Sequence, residues 1–308
     1  MSDKLKIILL YVLVCFVWGS SWLAMKWNVE DVTPLLASGT RFMVACIGLF
    51  IIIKWKKIQI PKDSSHRKFF FIVSLTAFSV PFALNYYAAE RIPSGLSAIL
   101  FATYPFLVAI LSFLMIQNEK VTVTKIIGML AGFAGVYLLF KGNILVKNSD
   151  TNMLLGMIAI LLSAFIQAYS LLLVKLRGKD ISPFVMSYQP MLYAAIISLV
   201  ISYFVEDYSK VHFTTKATVS LLYLAIFGSI VTFVSYWWLV KKIEAVLLSF
   251  TAFITPVVAI YLGITFGNES VSTEIYLGTS LVLLGMLIAN FQDVLKLFKP
   301  KNVNNSNV

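Results

Sequence analysis

Residues 92–135 read IPSGLSAILFATYPFLVAILSFLMIQNEKVTVTKIIGMLAGFAG, and residues 243–285 read IEAVLLSFTAFITPVVAIYLGITFGNESVSTEIYLGTSLVLLG. Both stretches hold an apolar span with a proline inside it, then an Asn-Glu pair, then two glycines seven residues apart. The matching positions are Pro105 and Pro256, Glu119 and Glu269, Gly128 and Gly278, and Gly135 and Gly285. Because an internal repeat of this length fixes the architecture, the chain is predicted to be a duplicated module.

The composition of the chain places it in a membrane. Of its 308 residues, 59% are hydrophobic and 13% are charged, whereas soluble domains carry about 25% charged residues. Cys15 and Cys46 both fall inside apolar spans and are interpreted as small buried side chains rather than as a disulfide. The net charge of +11 is interpreted as basic residues in cytoplasmic loops, so nucleic acid is not expected as a partner.

Ten apolar stretches are long enough to cross a bilayer as helices, which takes about 20 residues each. They lie near residues 7–25, 34–53, 69–89, 93–116, 121–140, 153–174, 183–205, 217–240, 245–267 and 275–292. The first is interpreted as a retained helix, because Trp18 and Trp22 stand where a signal peptide would carry small residues. Their continuous apolar character favours helices over the alternating strands of a barrel, so the sequence predicts an all-α polytopic membrane protein.

The distribution of lysine and arginine predicts cytoplasmic N- and C-termini. With that orientation the inner segments hold 18 basic residues and the outer loops hold 6, and Arg41 within the second span is the remaining one. Cytoplasmic loops of membrane proteins carry such an excess of positive charge. The loop 54–68 alone holds six of the inner residues, which makes it the strongest cytoplasmic anchor.

The repeat extends upstream of the two quoted stretches. With an offset of 149 residues, Lys26 and Pro34 match Lys175 and Pro183, so the first five helices correspond to the last five. Because five is an odd number, the second copy must enter the membrane from the opposite side. Secondary transporters are frequently built from such inverted repeats, with the substrate site near the midplane between the halves.

These features resemble the EamA-type branch of the drug/metabolite transporter superfamily. The resemblance rests on Trp18-Gly19-Ser20-Ser21, on Pro34 followed by Arg41, and on the duplicated order of Pro, Glu, Gly and Gly described above. It implies ten helices, cytoplasmic termini and the movement of small metabolites, often outward. Two departures are Pro190, where the repeat would place a second arginine, and Ala245-Val246, which replace a second Ser94-Gly95.

The expected organisation has four parts. They are a cytoplasmic N-terminus over residues 1–6, a first repeat over 7–140, a second repeat over 153–292 and a polar cytoplasmic tail over 293–308.

Polar and aromatic side chains inside the spans are the candidates for a substrate cavity, because burying them in lipid is costly and they tend to face protein or water. The candidates are Trp18, Trp22, Arg41, Asn85, Tyr104, Gln167, Tyr236, Thr251 and Thr255. Gln167 is the repeat counterpart of Trp18, so these two faces are expected to approach each other across the pseudo-twofold axis. Two ordinary alternatives stay open, since hydroxyl side chains also join transmembrane helices and aromatic side chains also form interfacial belts.

Pro105 and Pro256 are predicted to kink their helices, because each removes a backbone hydrogen bond and clashes with the preceding turn. The carbonyls freed in this way would lie near the midplane, next to Tyr104 in the first copy and Thr255 in the second. A hinge used in transport and a fixed bend are equally consistent with the sequence.

Arg41 is the one basic residue well inside a span, and no acidic residue lies deep in any span. Its side chain either reaches out to the membrane surface or lines the cavity. Phosphorylated sugars and nucleotides would need several fixed cations, which favours neutral, zwitterionic or aromatic metabolites such as amino acids. Glu119 and Glu269 lie at helix ends, and capping or loop contacts are expected for both.

Catalytic and metal-binding patterns are missing from the sequence. The two histidines, His66 and His212, fall in loops on opposite predicted faces, and no glycine-rich phosphate loop is present. The prediction is therefore a secondary transporter of the plasma membrane, not an enzyme, with a small-molecule substrate, the lipid bilayer as its other partner and no cofactor. Its two halves would rock against each other in alternating access, and a homodimer is allowed. The alternative is a passive pore or a lipid-flipping protein whose cavity never closes on both sides.

Overall fold

The computed structural model describes residues 3–115, 122–144, 151–242, 251–270 and 273–289. These residues form ten membrane helices: α1 (Asp3–Val29), α2 (Pro34–Trp55), α3 (Ser64–Ala89), α4 (Ser94–Met115), α5 (Val123–Ile144), α6 (Thr151–Arg177), α7 (Pro183–Val205), α8 (Thr215–Val240), α9 (Thr251–Gly267) and α10 (Thr273–Ala289). By length and composition α1 to α8 suit a membrane crossing, and α9 and α10 are shorter apolar helices. The prediction of an all-α, ten-helix membrane protein is confirmed. Glu119, the start of the ninth predicted span and the tail lie outside the described residues.

Carboxylates fix where several helices begin. The N-terminus of α2 is capped by Glu206 from the end of α7, whose two oxygens accept from the amides of Leu35 (2.7 Å) and Leu36 (3.0 Å). α3 begins at Ser64, before the expected start at residue 69, because Asp63 accepts a hydrogen bond from the His66 amide. Such caps satisfy amides that have no partner within the helix.

Two helices carry a π-helical turn at equivalent places in the repeat. The turn covers Ser74–Ser79 in α3 and Ile226–Val231 in α8. A π-helical turn inserts into an α-helix mostly where function or packing requires it. The two turns therefore mark α3 and α8 as corresponding elements with a special local role.

The two predicted kinks differ in the structure. α4 is interrupted at Ala102-Thr103, between segments Ser94–Phe101 and Tyr104–Met115, because Pro105 has no amide hydrogen to donate to the Phe101 carbonyl. Pro256 lies inside α9, which runs without interruption over Thr251–Gly267. Within the part of the two helices that the structure describes, Pro105 interrupts its helix and Pro256 does not.

The inverted repeat is visible in single contacts between helices. Gly128 near the start of α5 faces Gly285 near the end of α10, and a Cβ added to Gly135 would lie 2.6 Å from the Gly278 carbonyl oxygen. The glycines that correspond in sequence therefore meet crosswise, as two antiparallel helices related by a twofold axis must. Small residues at such interfaces let helix backbones approach closely.

The two sequence halves interlock instead of lying side by side. α1 packs against α8 and α9 of the second half, and α6 packs correspondingly against α3 and α4 of the first half. Three further contacts join counterparts directly, namely α2 with α7, α4 with α9 and α5 with α10. Both halves therefore contribute helices to each of these interfaces, including those that would surround a cavity on the twofold axis.

Candidate functional site

Aromatic rings form a continuous row through the interior of the bundle, here called the aromatic row. It consists of Trp22, Phe101, Tyr104, Tyr236, Trp18, Phe233 and Phe82, in that order. Ring centroids are 4.9 Å apart for Trp18 and Tyr236 and 5.8 Å apart for Trp18 and Phe233. The row connects α1, α3 and α4 of the first half with α8 of the second half.

Gly19 explains why Trp18 reaches α8. A Cβ at Gly19 would lie 2.6 Å from Val258 Cβ and 3.1 Å from the Thr255 carbonyl oxygen, so only glycine lets α1 approach α9 this closely. With the Gly19 face pressed against α9, the adjacent indole of Trp18 is directed to Tyr236 and Phe233. The Trp-Gly dipeptide thus carries both a close helix contact and a ring contact.

The break in α4 places the next part of the row. Phe101 and Tyr104 flank the break and their rings stack at an interplanar angle of 9° with centroids 5.5 Å apart. On one side Phe101 contacts Trp22 at 5.5 Å, and on the other the Tyr104 and Tyr236 side chains interact through their hydroxyl groups. The site therefore includes a helix interruption, beside which Pro105 provides no amide hydrogen for the Phe101 carbonyl.

Arg41 lies at the other end of the row and is 2% exposed. Its Nε donates to Ser229 Oγ at 2.9 Å and its Nη2 donates to the Gly228 carbonyl at 3.2 Å. Both acceptors belong to the π-helical turn of α8, and the guanidinium also lies over the Phe82 ring at 4.9 Å from its centroid. The interpretation in which Arg41 reaches out to the membrane surface is therefore excluded.

The Arg41 guanidinium has no carboxylate partner among the residues that the structure describes. The buried hydroxyl of the neighbouring Tyr86 interacts with the guanidinium, and neither this hydroxyl nor Nη1 has another hydrogen-bond partner. A charge inside a membrane-spanning helix costs about 2.5–3.5 kcal/mol on insertion scales, and such residues mostly mark functional paths. The guanidinium of Arg41 is thus held by two neutral acceptors, and its Nη1 can still donate hydrogen bonds.

Besides Arg41, four candidates lie outside the aromatic row. Gln167 Nε2 donates to Ser163 Oγ at 3.1 Å, and Ser163 Oγ donates to the Pro81 carbonyl at 3.1 Å, which joins α6 to α3. Asn85 is buried with its Oδ1 unpartnered, while Thr251 is buried and Thr255 is half-buried on α9. Trp18, Trp22, Tyr104 and Tyr236 are brought together in the row, and Arg41 joins them through Phe82.

The sequence predictions missed the phenylalanines of the row and the partners of Arg41. Phe82, Phe101 and Phe233 are three of 24 phenylalanines, and nothing in their spacing separates them from those facing lipid. Gly228 and Ser229 are small residues that nothing in the sequence separates from the other small residues of α8. A π-helical turn there has no residue signature of its own, so its acceptors could not be assigned to Arg41.

A cluster of polar contacts closes the predicted outer end of the bundle. Glu269, between α9 and α10, accepts from the amides of Ser94 (2.7 Å) and Gly95 (3.2 Å) at the start of α4. It also pairs with Lys26 near the end of α1 at 3.1 Å, and its own side chain is 5% exposed. We call Glu269, Lys26, Ser94 and Gly95 the outer latch, since they tie helices of both halves together. The adjoining crevice holds only about 10 Å³, the space of one water molecule.

Comparison of this sequence with known proteins identifies the family to which it belongs. The model of the EamA-like transporter family matches residues 5–141 and 154–291. The "Uncharacterized transporter YoaV" of Bacillus subtilis is 30% identical over 93% of this chain and 97% of its own length. Protein PagO of Salmonella typhimurium is 29% identical over 94% of this chain and 92% of its own length. The "Uncharacterized inner membrane transporter YedA" of Escherichia coli is 24% identical over 92% and 90%, respectively.

A solved crystal structure has the same fold. It is 16% identical in sequence and superposes with a TM-score of 0.69 over 94% of this chain and 99% of that chain. At that identity the likeness concerns the fold alone. Since the family model covers both repeats, the interlocked ten-helix bundle described above belongs to the EamA-like transporter family and is a membrane transporter that crosses the bilayer several times.

Proposed function

We propose that this transporter moves small neutral, zwitterionic or aromatic metabolites, such as amino acids and related compounds, out of the cell by alternating access. The observation that carries the proposal is the aromatic row, which joins both halves of the repeat through the interior of the bundle. Aromatic faces bind apolar, aromatic and cationic groups. Within the described residues Arg41 is the one charge beside the row, which suits solutes of low net charge.

The packing of the helices supports a particular kind of movement. α1 packs against α8 and α9, and α6 packs against α3 and α4. Rocking the two sequence halves apart would therefore separate helices that are extensively packed against each other. We therefore expect the moving units to be mixed bundles, each containing helices from both halves. The interruption of α4 before Pro105 supplies a bending point within the row itself.

The orientation of the chain follows from charge. Eighteen basic residues fall on one side and six on the other, which favours cytoplasmic termini in the plasma membrane. The name of the relative YedA includes the inner membrane, in keeping with this location. With this orientation the outer latch faces the outside, and its contacts close that side.

Transport by purified protein in lipid vesicles tests the proposal. Vesicles preloaded with unlabelled phenylalanine, leucine or serine are diluted into a trace of the same labelled amino acid, and uptake against the outward gradient is followed. A transporter that alternates gives saturable uptake that competes with unlabelled solute. A pore gives flux that stays proportional to concentration, and this outcome, or no flux with any amino acid, would contradict the proposal.

A further inference from the structure

The feature that the aromatic row leaves unexplained is the buried charge at its end. Arg41 is 2% exposed, and its two hydrogen bonds go to a serine hydroxyl and a backbone carbonyl, neither of which neutralises it. The sequence places every aspartate and glutamate at helix ends or in loops. Among the residues that the structure describes, no carboxylate therefore neutralises Arg41.

The fold itself does not need a cation at this position. The repeat counterpart of Arg41 is Pro190 of α7, which is buried while α7 packs against the π-helical turn of α3. The same helix–turn packing is thus formed once with arginine and once with proline. If the packing of this helix against the π-helical turn required an arginine, both copies of the repeat would need one. A binding site for a single ligand needs an arginine in one copy only.

Beside Arg41 lies the hydroxyl of Tyr86, and apart from each other these two groups have no hydrogen-bond partner on this side of the guanidinium. Nη1 of Arg41 and the hydroxyl of Tyr86 are both buried; the Tyr86 hydroxyl interacts with the guanidinium, and neither group has any other partner. The π-helical turn of α8 fixes the guanidinium from the opposite side through Gly228 and Ser229. A planar group with two acceptor oxygens would satisfy both free donors at once.

We propose that Arg41 binds the carboxylate of the transported solute, with Tyr86 as the second donor and the aromatic row receiving the rest of the molecule. This proposal rests on the proposed transport function and narrows its substrates to compounds that carry a carboxylate. A single guanidinium neutralises one negative charge, so a monocarboxylate fits and a phosphate dianion does not. Neutral amides and simple amines of the same shape are then poor ligands.

Benzoate and benzamide are the probes that test it, because they match in size and aromatic ring and differ in the carboxylate. Binding to purified protein is measured by tryptophan fluorescence and by the shift in melting temperature, with phenylalanine and phenylalanine amide as a second matched pair. We expect each carboxylate to bind at least about tenfold more tightly than its amide, and Arg41→Gln to abolish that preference. Arg91→Gln, which removes an arginine beside Glu90 at the predicted outer end, is the matched control and should keep it.

Three outcomes would overturn the proposal: equal binding of acid and amide, no binding of either carboxylate, or a preference that survives in Arg41→Gln. If Arg41→Gln does not fold, Arg41→Lys replaces it, since lysine keeps the charge but cannot bridge Ser229, Gly228 and a ligand together. That variant should bind benzoate several-fold more weakly than the wild type. Vesicle transport is measured in parallel, so that binding through Arg41 without any flux would count against the transport function and not against the carboxylate site.

Discussion

Trp18 touches Tyr236 and Phe233 on α8 with one indole ring, so it makes two of the contacts by which the aromatic row passes between the two halves. Replacing it with alanine leaves a gap between α1 and α8 in the interior. Each aromatic pair contributes about 0.5–1.5 kcal/mol beyond the area that it buries. We expect Trp18→Ala to lower the initial transport rate by about tenfold, which corresponds to about 1.4 kcal/mol.

The matched control for this change is Trp55→Ala, which removes the same side chain where it is 79% exposed at the end of α2. Both variants are compared at equal protein in the vesicle assay. Equal rates for the two would contradict the assignment of Trp18 to the substrate path. Ser163→Ala is not a suitable control, because Ser163 Oγ accepts from Gln167 and its loss disturbs a second candidate residue.

At the scale of single residues, the sequence was sufficient to identify polar, charged or large aromatic side chains that are unusual inside an apolar span. Arg41 is conspicuous because a cation inside an apolar span is rare, and Trp18 because it lies well inside its span. Their partners have no such mark, since Phe233 and Ser229 are ordinary residues of an apolar helix. Contacts between helices that are distant in sequence decide which of them belong to the site.

Among the helices, α5 and α10 depend most directly on glycine. A Cβ at Gly128 would meet the backbone nitrogen of Ala289 and the carbonyl oxygen of Gly285, neither of which belongs to a side chain that can turn away. We expect Gly128→Ala to destabilise the protein by about 1–3 kcal/mol, as overpacking does. The melting temperature in detergent should fall by several degrees.

Gly48→Ala is the control for that experiment. Its added Cβ would contact the terminal Cδ1 of Ile230 at 2.6 Å, and that methyl group can rotate away. Its melting temperature should therefore change less than that of Gly128→Ala. If both variants melt at the wild-type temperature, α5 and α10 do not meet as closely as Gly128 and Gly285 indicate.

The internal repeat allowed the correspondence between helices and their relative orientation to be predicted from the sequence. Counterpart glycines at Gly135 and Gly285 suggested corresponding helices, and the odd number of spans required opposite orientations. The positions of the π-helical turns were not predictable, because the affected residues Ser74–Ser79 and Ile226–Val231 share no residue pattern that distinguishes a π-helical turn from an ordinary helical segment. The interruption of α4 was foreseeable in kind from Pro105, although its place at Ala102-Thr103 was not.

For the molecule as a whole, the outer latch decides whether the interior is open to the outside. Glu269→Gln keeps the size of the side chain but weakens its hold on Lys26 and on the amides of Ser94 and Gly95. We expect the variant to open outward more often. A cysteine at position 97, where Ser97 is 1% exposed, should then react with a maleimide that cannot cross membranes.

The labelling is done on intact cells with protein in which Cys15 and Cys46 are replaced by serine. Glu30→Gln serves as the control, since Glu30 pairs with Lys216 in an exposed contact on the same face. Labelling of position 97 should rise in Glu269→Gln and stay low in Glu30→Gln. Equal labelling in both would show that Glu269 does not hold the outer side closed, and labelling only from the cytoplasmic side would reverse the proposed orientation.

The interlocking of the two halves also has a consequence for biosynthesis. α2 carries Arg41 into the lipid roughly 190 residues before Gly228 and Ser229 are made, since these belong to α8. At about 5–20 residues per second, synthesis of that length takes on the order of 10–40 seconds. During this interval the guanidinium has neither of its acceptors and the glycine faces of α5 have no helix to meet. The nascent first half should therefore be the stage at which insertion chaperones and membrane proteases recognise this protein.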